Sequence, residues 1–346
     1  MRPKFFPSLV NDRHGDPAVF VDFLLERRAI LFDLGDIHAL PARSILCLTD
    51  VFVSHTHIDH FAGFDRLLRL FIGRDKLLRL YGPPGFIGNV QAKLAAYTWN
   101  LAETFRDDLI FAVTELEDAD RCRTARFRLR RRFALEDLGS RTMQDGLLLA
   151  EPSLSVTTAV LEHRTPCLAF ALQEPEHINV WKNQLEARDF ETGPWLAELK
   201  IAIYERRPDD TPICVRLTSG EDITRPLGEL RRDLVSITAG QKIAYVTDAA
   251  FSETNRRAIV DLAKNADILF IEAAFAAADS DLAAERAHLT TAQAGELARL
   301  ANAARVVPFH FSARYAGQEE RLLREVDAAF RAPAEKAGSP AASLSA

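Results

Sequence analysis

The chain has 346 residues, 48% of them hydrophobic, with 43 basic and 49 acidic side chains and a formal charge of −6. That balance excludes a general attraction for nucleic acid, so any RNA contact must come from a local patch. Cys47, Cys122, Cys167 and Cys214 lack CxxC spacing and no stretch approaches the length of a membrane span, so the expectation is a soluble, cytoplasmic protein with reduced thiols and no membrane partner.

In chain order, residues 19–25 and 29–34 are apolar runs separated by Glu26-Arg27-Arg28, the pattern of a hairpin. The second run ends at Asp33-Leu34-Gly35. Asp33 reads equally as a turn former and as a carboxylate that orients a metal-bound histidine from behind. The run at 50–53 opens onto Ser54-His55-Thr56-His57-Ile58-Asp59-His60, which holds three of the chain's nine histidines and a carboxylate within six residues. Histidines two apart at a strand end leave by one face, and Asp59 and His60 on the following turn can point at a second position. This is how a chain supplies nitrogen and oxygen ligands to two adjacent divalent metals, with zinc favoured by imidazole. Residues 62–71 have helical spacing, 77–81 form a short strand before Gly82-Pro83-Pro84-Gly85, and 86–106 read as helix.

Seven arginines fall within residues 121–132, and from Arg126 through Arg128 to Arg130 they alternate with Phe127 and Leu129. A strand here would line one face with guanidiniums. They are candidate phosphate contacts; the preferred reading is a solvated face paired with Glu115, Glu117, Asp118 and Asp120. Further on, four apolar runs each stop at a chemically useful residue: 156–161 at Glu162-His163, 242–247 at Asp248, 267–271 at Glu272 and 305–309 at His310. Thr290 with Gln293 is a capping box opening a helix through about residue 303. Residues 174–235 are too long and polar for an ordinary loop and read as a projecting arm; 332–346, rich in Ala, Ser, Pro and Gly, read as a disordered tail. The rest, residues 1–331, reads as a single domain carrying that arm.

These residues together resemble the metallo-β-lactamase fold and, within it, the ribonuclease Z family. The resemblance rests on Ser54 to Gly63, Leu161-Glu162-His163-Arg164-Thr165-Pro166, Tyr245-Val246-Thr247-Asp248, the stretch beginning His288-Leu289-Thr290, and His310-Phe311-Ser312-Ala313-Arg314-Tyr315. It implies an α/β four-layer αββα sandwich with two mixed sheets flanked by helices. It also implies two divalent metals, zinc before manganese or iron, with His55, His57 and His163 on one, Asp59, His60 and His310 on the other, and Asp248 bridging. The implied reaction is endonucleolytic removal of 3′ trailers from precursor tRNA by hydroxide attack on phosphorus, and the implied assembly is a homodimer. Asp59, Glu272 and His288 are the candidate catalytic residues and Arg314 a further RNA contact. The chain departs from the family at its His-Glu-Ala-Thr motif, which here reads Ile271-Glu272-Ala273-Ala274, so the histidine expected to assist the leaving oxygen is isoleucine. The first part of the arm, residues 174–200, carries six acids against three bases, a poor clamp for RNA. The alternatives are therefore a hydrolase of the same fold acting on a small phosphodiester or other ester and, third, a non-catalytic RNA- or protein-binding module.

Overall fold

Side chains alternate inward and outward over most of the strand Leu154–His163, as a sheet face covered on one side requires. Its neighbour Thr165–Gln173 is buried without a break from Cys167 to Leu172, the mark of a strand covered on both faces. The computed structural model describes residues 4–24 and 26–333. Eight strands lie in chain order in one sheet: Phe5–Leu9, Val19–Phe23, Ala29–Phe32, Leu48–Phe52, Lys76–Gly82, Leu109–Asp118, Arg121–Arg128 and Leu135–Thr142. A second sheet has the order Val306–Phe309, Ile268–Glu272, Lys242–Val246, Thr165–Gln173, Leu154–His163, Leu147–Glu151. Both are mixed. Parallel pairs run from Ala29–Phe32 to Leu109–Asp118 in the first and from Lys242–Val246 to Val306–Phe309 in the second.

The sheets face each other across an aromatic core that includes Phe32, Phe52, Tyr81, Phe170, Tyr245 and Phe309. Phe52 stacks on Tyr81 with centroids 4.5 Å apart, and Tyr245 on Phe309 at 5.3 Å. The outer face of the first sheet is covered by the helices Phe64–Phe71 and Phe86–Ala95, that of the second by Glu253–Ala263, Thr291–Leu300 and Glu319–Phe330. The result is the αββα sandwich. Thr290 caps its helix through the expected reciprocal pair with Gln293.

Three local expectations change. The helix expected over 86–106 stops at Ala95, where Trp99 Nε1 donates to the Leu94 carbonyl and folds the chain away from the axis; only a single 3₁₀ turn, Ala102–Thr104, follows. The strand before the histidine motif ends at Phe52, so His55 and His57 sit on a loop rather than a strand end, and Asp59 and His60 lie in the short helix Ile58–Phe61 rather than on a turn. Strand alternation is therefore not what gathers the histidines. The arginine-rich strand ends at Arg128, short of Arg130, with Phe127 and Leu129 fully buried beneath it.

The inserted stretch Glu174–Gly240 forms a compact unit of its own, and the remaining described residues form the other. It is no loop. Leu199, Ile213, Val215, Leu227 and Leu234 pack with Trp195 and Phe190 in a separate small core, framed by two two-stranded sheets and three helices. Of the expected tail, 334–346 lie outside the described residues.

Candidate metal centre

Four strand ends on the sandwich turn abruptly, and each turn sets a functional side chain. Asp33 follows Phe32, Arg164 follows His163, Asp248 lies just beyond Val246 and His310 follows Phe309; all four take left-handed backbone, with φ of 57°, 52°, 38° and 60°. For residues other than glycine that conformation is costly and is retained mostly where it aims a side chain. Close backbone approach does the rest. A Cβ on Gly63 would come within 2.2 Å of the Gly35 carbonyl oxygen, and one on Gly35 within 2.3 Å of the Asp59 carbonyl oxygen. Only glycine lets the 33–35 turn lie against the histidine segment. Two backbone bonds fasten it there, Leu34 N to His60 O and Gly63 N to Leu34 O, both 2.9 Å.

The structure brings all seven sequence-derived ligand candidates together. His55, His57, His163 and Asp248 form one group and Asp59, His60 and His310 another, each with its ligand atoms within 4.8 Å of one another. Asp248 faces both. Its Oδ2 lies 3.2 Å from His163 Nε2 and 3.6 Å from His55 Nε2, while Oδ1 lies 3.0 Å from His310 Nδ1 and 3.5 Å from His60 Nε2. One carboxylate thus offers an oxygen to each side, the geometry of a bridge.

Buried hydrogen bonds behind the ligands fix their tautomers. Asp33 Oδ2 accepts from His60 Nδ1 at 2.7 Å, Tyr245 OH at 2.7 Å and Ser54 Oγ at 2.8 Å, and Oδ1 accepts from Ser54 N at 2.6 Å. Asp33 is fully buried, so of its two sequence readings the geometry fits the orienting carboxylate: holding Nδ1–H turns His60 Nε2 toward Asp248. Likewise His163 Nδ1 donates to the Ala287 carbonyl at 2.7 Å, leaving Nε2 for the cluster. The Tyr245 phenol and the Ser54 hydroxyl were not anticipated from the sequence. Their role depends on a contact across 212 and 21 residues, respectively, to Asp33.

A divalent cation fits this donor set. Among the described residues His60 Nε2 and His310 Nδ1 are shielded from solvent without a hydrogen-bond partner, both facing Asp248. Burial opposes charge on His60 and His310, yet Asp248 outweighs it, raising His60 well above the ordinary imidazole range and His310 to about 10. Burial would also raise the Asp248 carboxyl, but His310 and His60 hold it far below the usual carboxylate range. The pocket demands positive charge, which protons meet here and a metal ion would meet by displacing them. His55 is different: burial, then the neighbouring His60, depress it to about 3, so it stays neutral and ligand-ready.

Beside the cluster, Glu272 is fully buried; its Oε1 accepts from Ala249 N at 2.8 Å, and its carboxylate meets His288 Nδ1 at 3.1 and 3.2 Å. Burial works against charge on His288, but Glu272 prevails and raises its pKa. Ile271 points the other way, into the core under the helices. A histidine at that position would be buried in apolar packing, so the exchange at 271 leaves the polar pair Glu272–His288 intact.

The cluster opens into a cleft of about 770 Å³ lined by His57, Asp59, His163, Asp248, His288 and His310 together with Arg164, Arg286, Arg314 and His14. Of the sequence-derived RNA contacts, Arg314 lines it. Arg126 and Arg128 do not; they pair with Glu136 at 3.7 Å and Asp108 at 2.9 Å, and Arg123 pairs with Asp137 at 2.6 Å. Arg130 is also outside the lining. The solvated, acid-paired face is what forms, with one of the expected partners, Glu117, on Arg121. Arg286 had no periodic or motif signal, and Arg164, though inside the 161–166 motif stretch, was not singled out as a contact.

A buried His/Asp cluster at one edge of an αββα sandwich defines a metal-dependent hydrolase of the metallo-β-lactamase fold. The Beta-lactamase superfamily domain matches residues 211–311. A solved metallo-β-lactamase-fold protein from Bacillus subtilis superposes with a TM-score of 0.52 at 15% identity, covering 94% of this chain and 92% of its own. Ribonuclease Z of Deinococcus radiodurans is 34% identical over 307 residues, 88% of either chain. Ribonuclease Z of Bacteroides thetaiotaomicron is 31% identical over 335 residues, 93% of this chain and 88% of its own. The chain belongs to the ribonuclease Z family. Among the described residues no helix is long and apolar enough to cross a membrane.

Proposed function

We propose that this chain is an endoribonuclease that removes 3′ trailers from precursor tRNA, using two zinc ions in the cytoplasm. The observation that carries the reading is Asp248, which presents one oxygen to each of two His/Asp groups at the floor of an open cleft. His55, His57 and His163 would hold one ion, Asp59, His60 and His310 the other. Paired divalent ions supply Lewis acidity, a water activated at neutral pH and charge for the phosphodiester oxygens. The chain's own groups do the remainder. Asp33 and the Ala287 carbonyl fix the ring orientations of His60 and His163. His288, held at Nδ1 by Glu272, keeps Nε2 to give a proton to the leaving 3′-oxygen. Arg164, Arg286 and Arg314 at the cleft supply phosphate contacts in place of the 126–130 stripe.

A second reading has an observation of its own. Residues 174–240 carry 13 acidic against nine basic side chains, which disfavours a grip on a polyanion and favours a small phosphodiester as substrate. One assay separates the two. Zinc-loaded protein is given a precursor tRNA with a 3′ trailer and, separately, bis(p-nitrophenyl) phosphate, each with and without chelator. Chelator-sensitive cleavage at the trailer junction supports the first reading, and turnover of the small diester alone replaces it with the second.

A further inference from the structure

His14 is the one cleft-lining histidine outside the groups able to hold a metal, and it carries two unanswered polar atoms. Both ring nitrogens are shielded from solvent, and neither has a hydrogen-bond partner among the described residues. Buried polar atoms are nearly always paired, so an orphan on a residue that lines a cleft points to a partner that arrives with the ligand. His60 and His310 leave one nitrogen each, facing Asp248. His14 leaves both.

The loop that carries it is tied down. Asp12 Oδ1 accepts from the backbone N–H of His14 and of Gly15, both at 2.9 Å. Asn11 Nδ2 donates to the carbonyls of Asp16 and Asp36, both at 2.8 Å, and Phe311 N donates to the Arg13 carbonyl at 2.7 Å. The imidazole meets the Phe311 ring edge-on, centroids 5.6 Å apart. The loop is thus fixed and the ring rests against Phe311, the residue after the ligand candidate His310, with both its nitrogens unspent among the described residues. That is preorganisation toward a ligand.

We infer that His14 is a specificity-determining residue of the cleft, hydrogen-bonding the base edge or ribose hydroxyl of an RNA nucleotide beside the scissile bond. A neutral imidazole offers one donor and one acceptor. Base edges and the 2′-hydroxyl both give and take hydrogen bonds, which matches; a phosphate oxygen only accepts, and three arginines at the same cleft already suit it. The inference rests on the RNA-cleaving reading above.

The test compares zinc-loaded full-length wild type with His14→Phe and His14→Gln on the trailer-bearing precursor and on bis(p-nitrophenyl) phosphate. Phe keeps a ring against Phe311 and removes both nitrogens; Gln restores a donor and an acceptor. The expected result is a fall of about tenfold in the ratio of RNA to diester kcat/KM for His14→Phe, with part of that ratio regained in His14→Gln. An unchanged ratio overturns the inference, whether both activities fall together, as a merely structural role would have it, or neither does. Should His14→Phe fail to fold, His14→Gln and His14→Ala carry the comparison, and a ratio no higher for Gln than for Ala overturns it. Wild type that turns over the diester and leaves the RNA whole removes the RNA reading itself, a failure distinct from wild-type RNA cleavage that His14→Phe does not alter.

Discussion

The two halves of the sandwich build the site differently. The first half supplies His55, His57, Asp59 and His60 from one segment of six residues. The second supplies His163, Asp248 and His310 singly, each at the end of its own strand, with Glu272 ending another and His288 on the loop before the Thr290 cap. A contiguous motif keeps its ligands close whatever the neighbouring strands do. Ligands contributed one per strand converge only if every register is right, because a slip of one residue turns a side chain to the opposite face. The second half therefore relies on packing, and it places its one bridging candidate, Asp248, where both groups depend on it.

The largest effect should come from that dependence. Asp248→Ala removes an oxygen from both groups at once and is expected to lower hydrolysis of either substrate by about 1,000-fold or more, with loss of bound metal read by elemental analysis. Activity within tenfold of wild type would mean that the halves do not share a bridge. Next is Glu272→Gln, which takes away the charge that holds His288. Trailer cleavage should fall on the order of 100-fold, while bis(p-nitrophenyl) phosphate, whose leaving group needs no proton, should lose far less. Equal losses would assign Glu272 to the scaffold around Ala249 rather than to proton transfer. Smaller again is Asp33→Asn, which disturbs the support beneath the contiguous motif. Metal affinity should drop by roughly 10- to 100-fold in a competition titration, and an unaltered affinity would show that His60 needs no help to hold its tautomer. Smallest is the double change Arg126→Ser with Arg128→Ser: kcat/KM on precursor tRNA is expected within about twofold of wild type, since both guanidiniums are spent on carboxylates. A tenfold loss would restore the stripe as an RNA surface.

Much of this was legible in the chain. The hairpin, the strands that stop at His163, Asp248, Glu272 and His310, and the Thr290–Gln293 cap all formed where apolar runs and punctuation placed them. The errors share a cause. The helix at 86 was drawn too long because local spacing does not register a tertiary stop such as Trp99 on Leu94. The face taken by residue 271 was not legible either, because a strand's two faces look alike until the sheet's neighbours are known, and here residue 271 faces helices while 272 faces the site.

By itself the sequence determined the candidate ligand types, their grouping in the 54–60 segment and the strand ends that carry the other candidates, since these follow from residue chemistry and short-range periodicity. Only the tertiary structure decided which orphaned nitrogens face Asp248, that Asp33 reaches Ser54, His60 and Tyr245 together, that Arg126 and Arg128 are paired with carboxylates, and that His14 lines the cleft. Those outcomes depend on contacts between residues far apart in the chain, and no local pattern encodes the register in which two sheets meet.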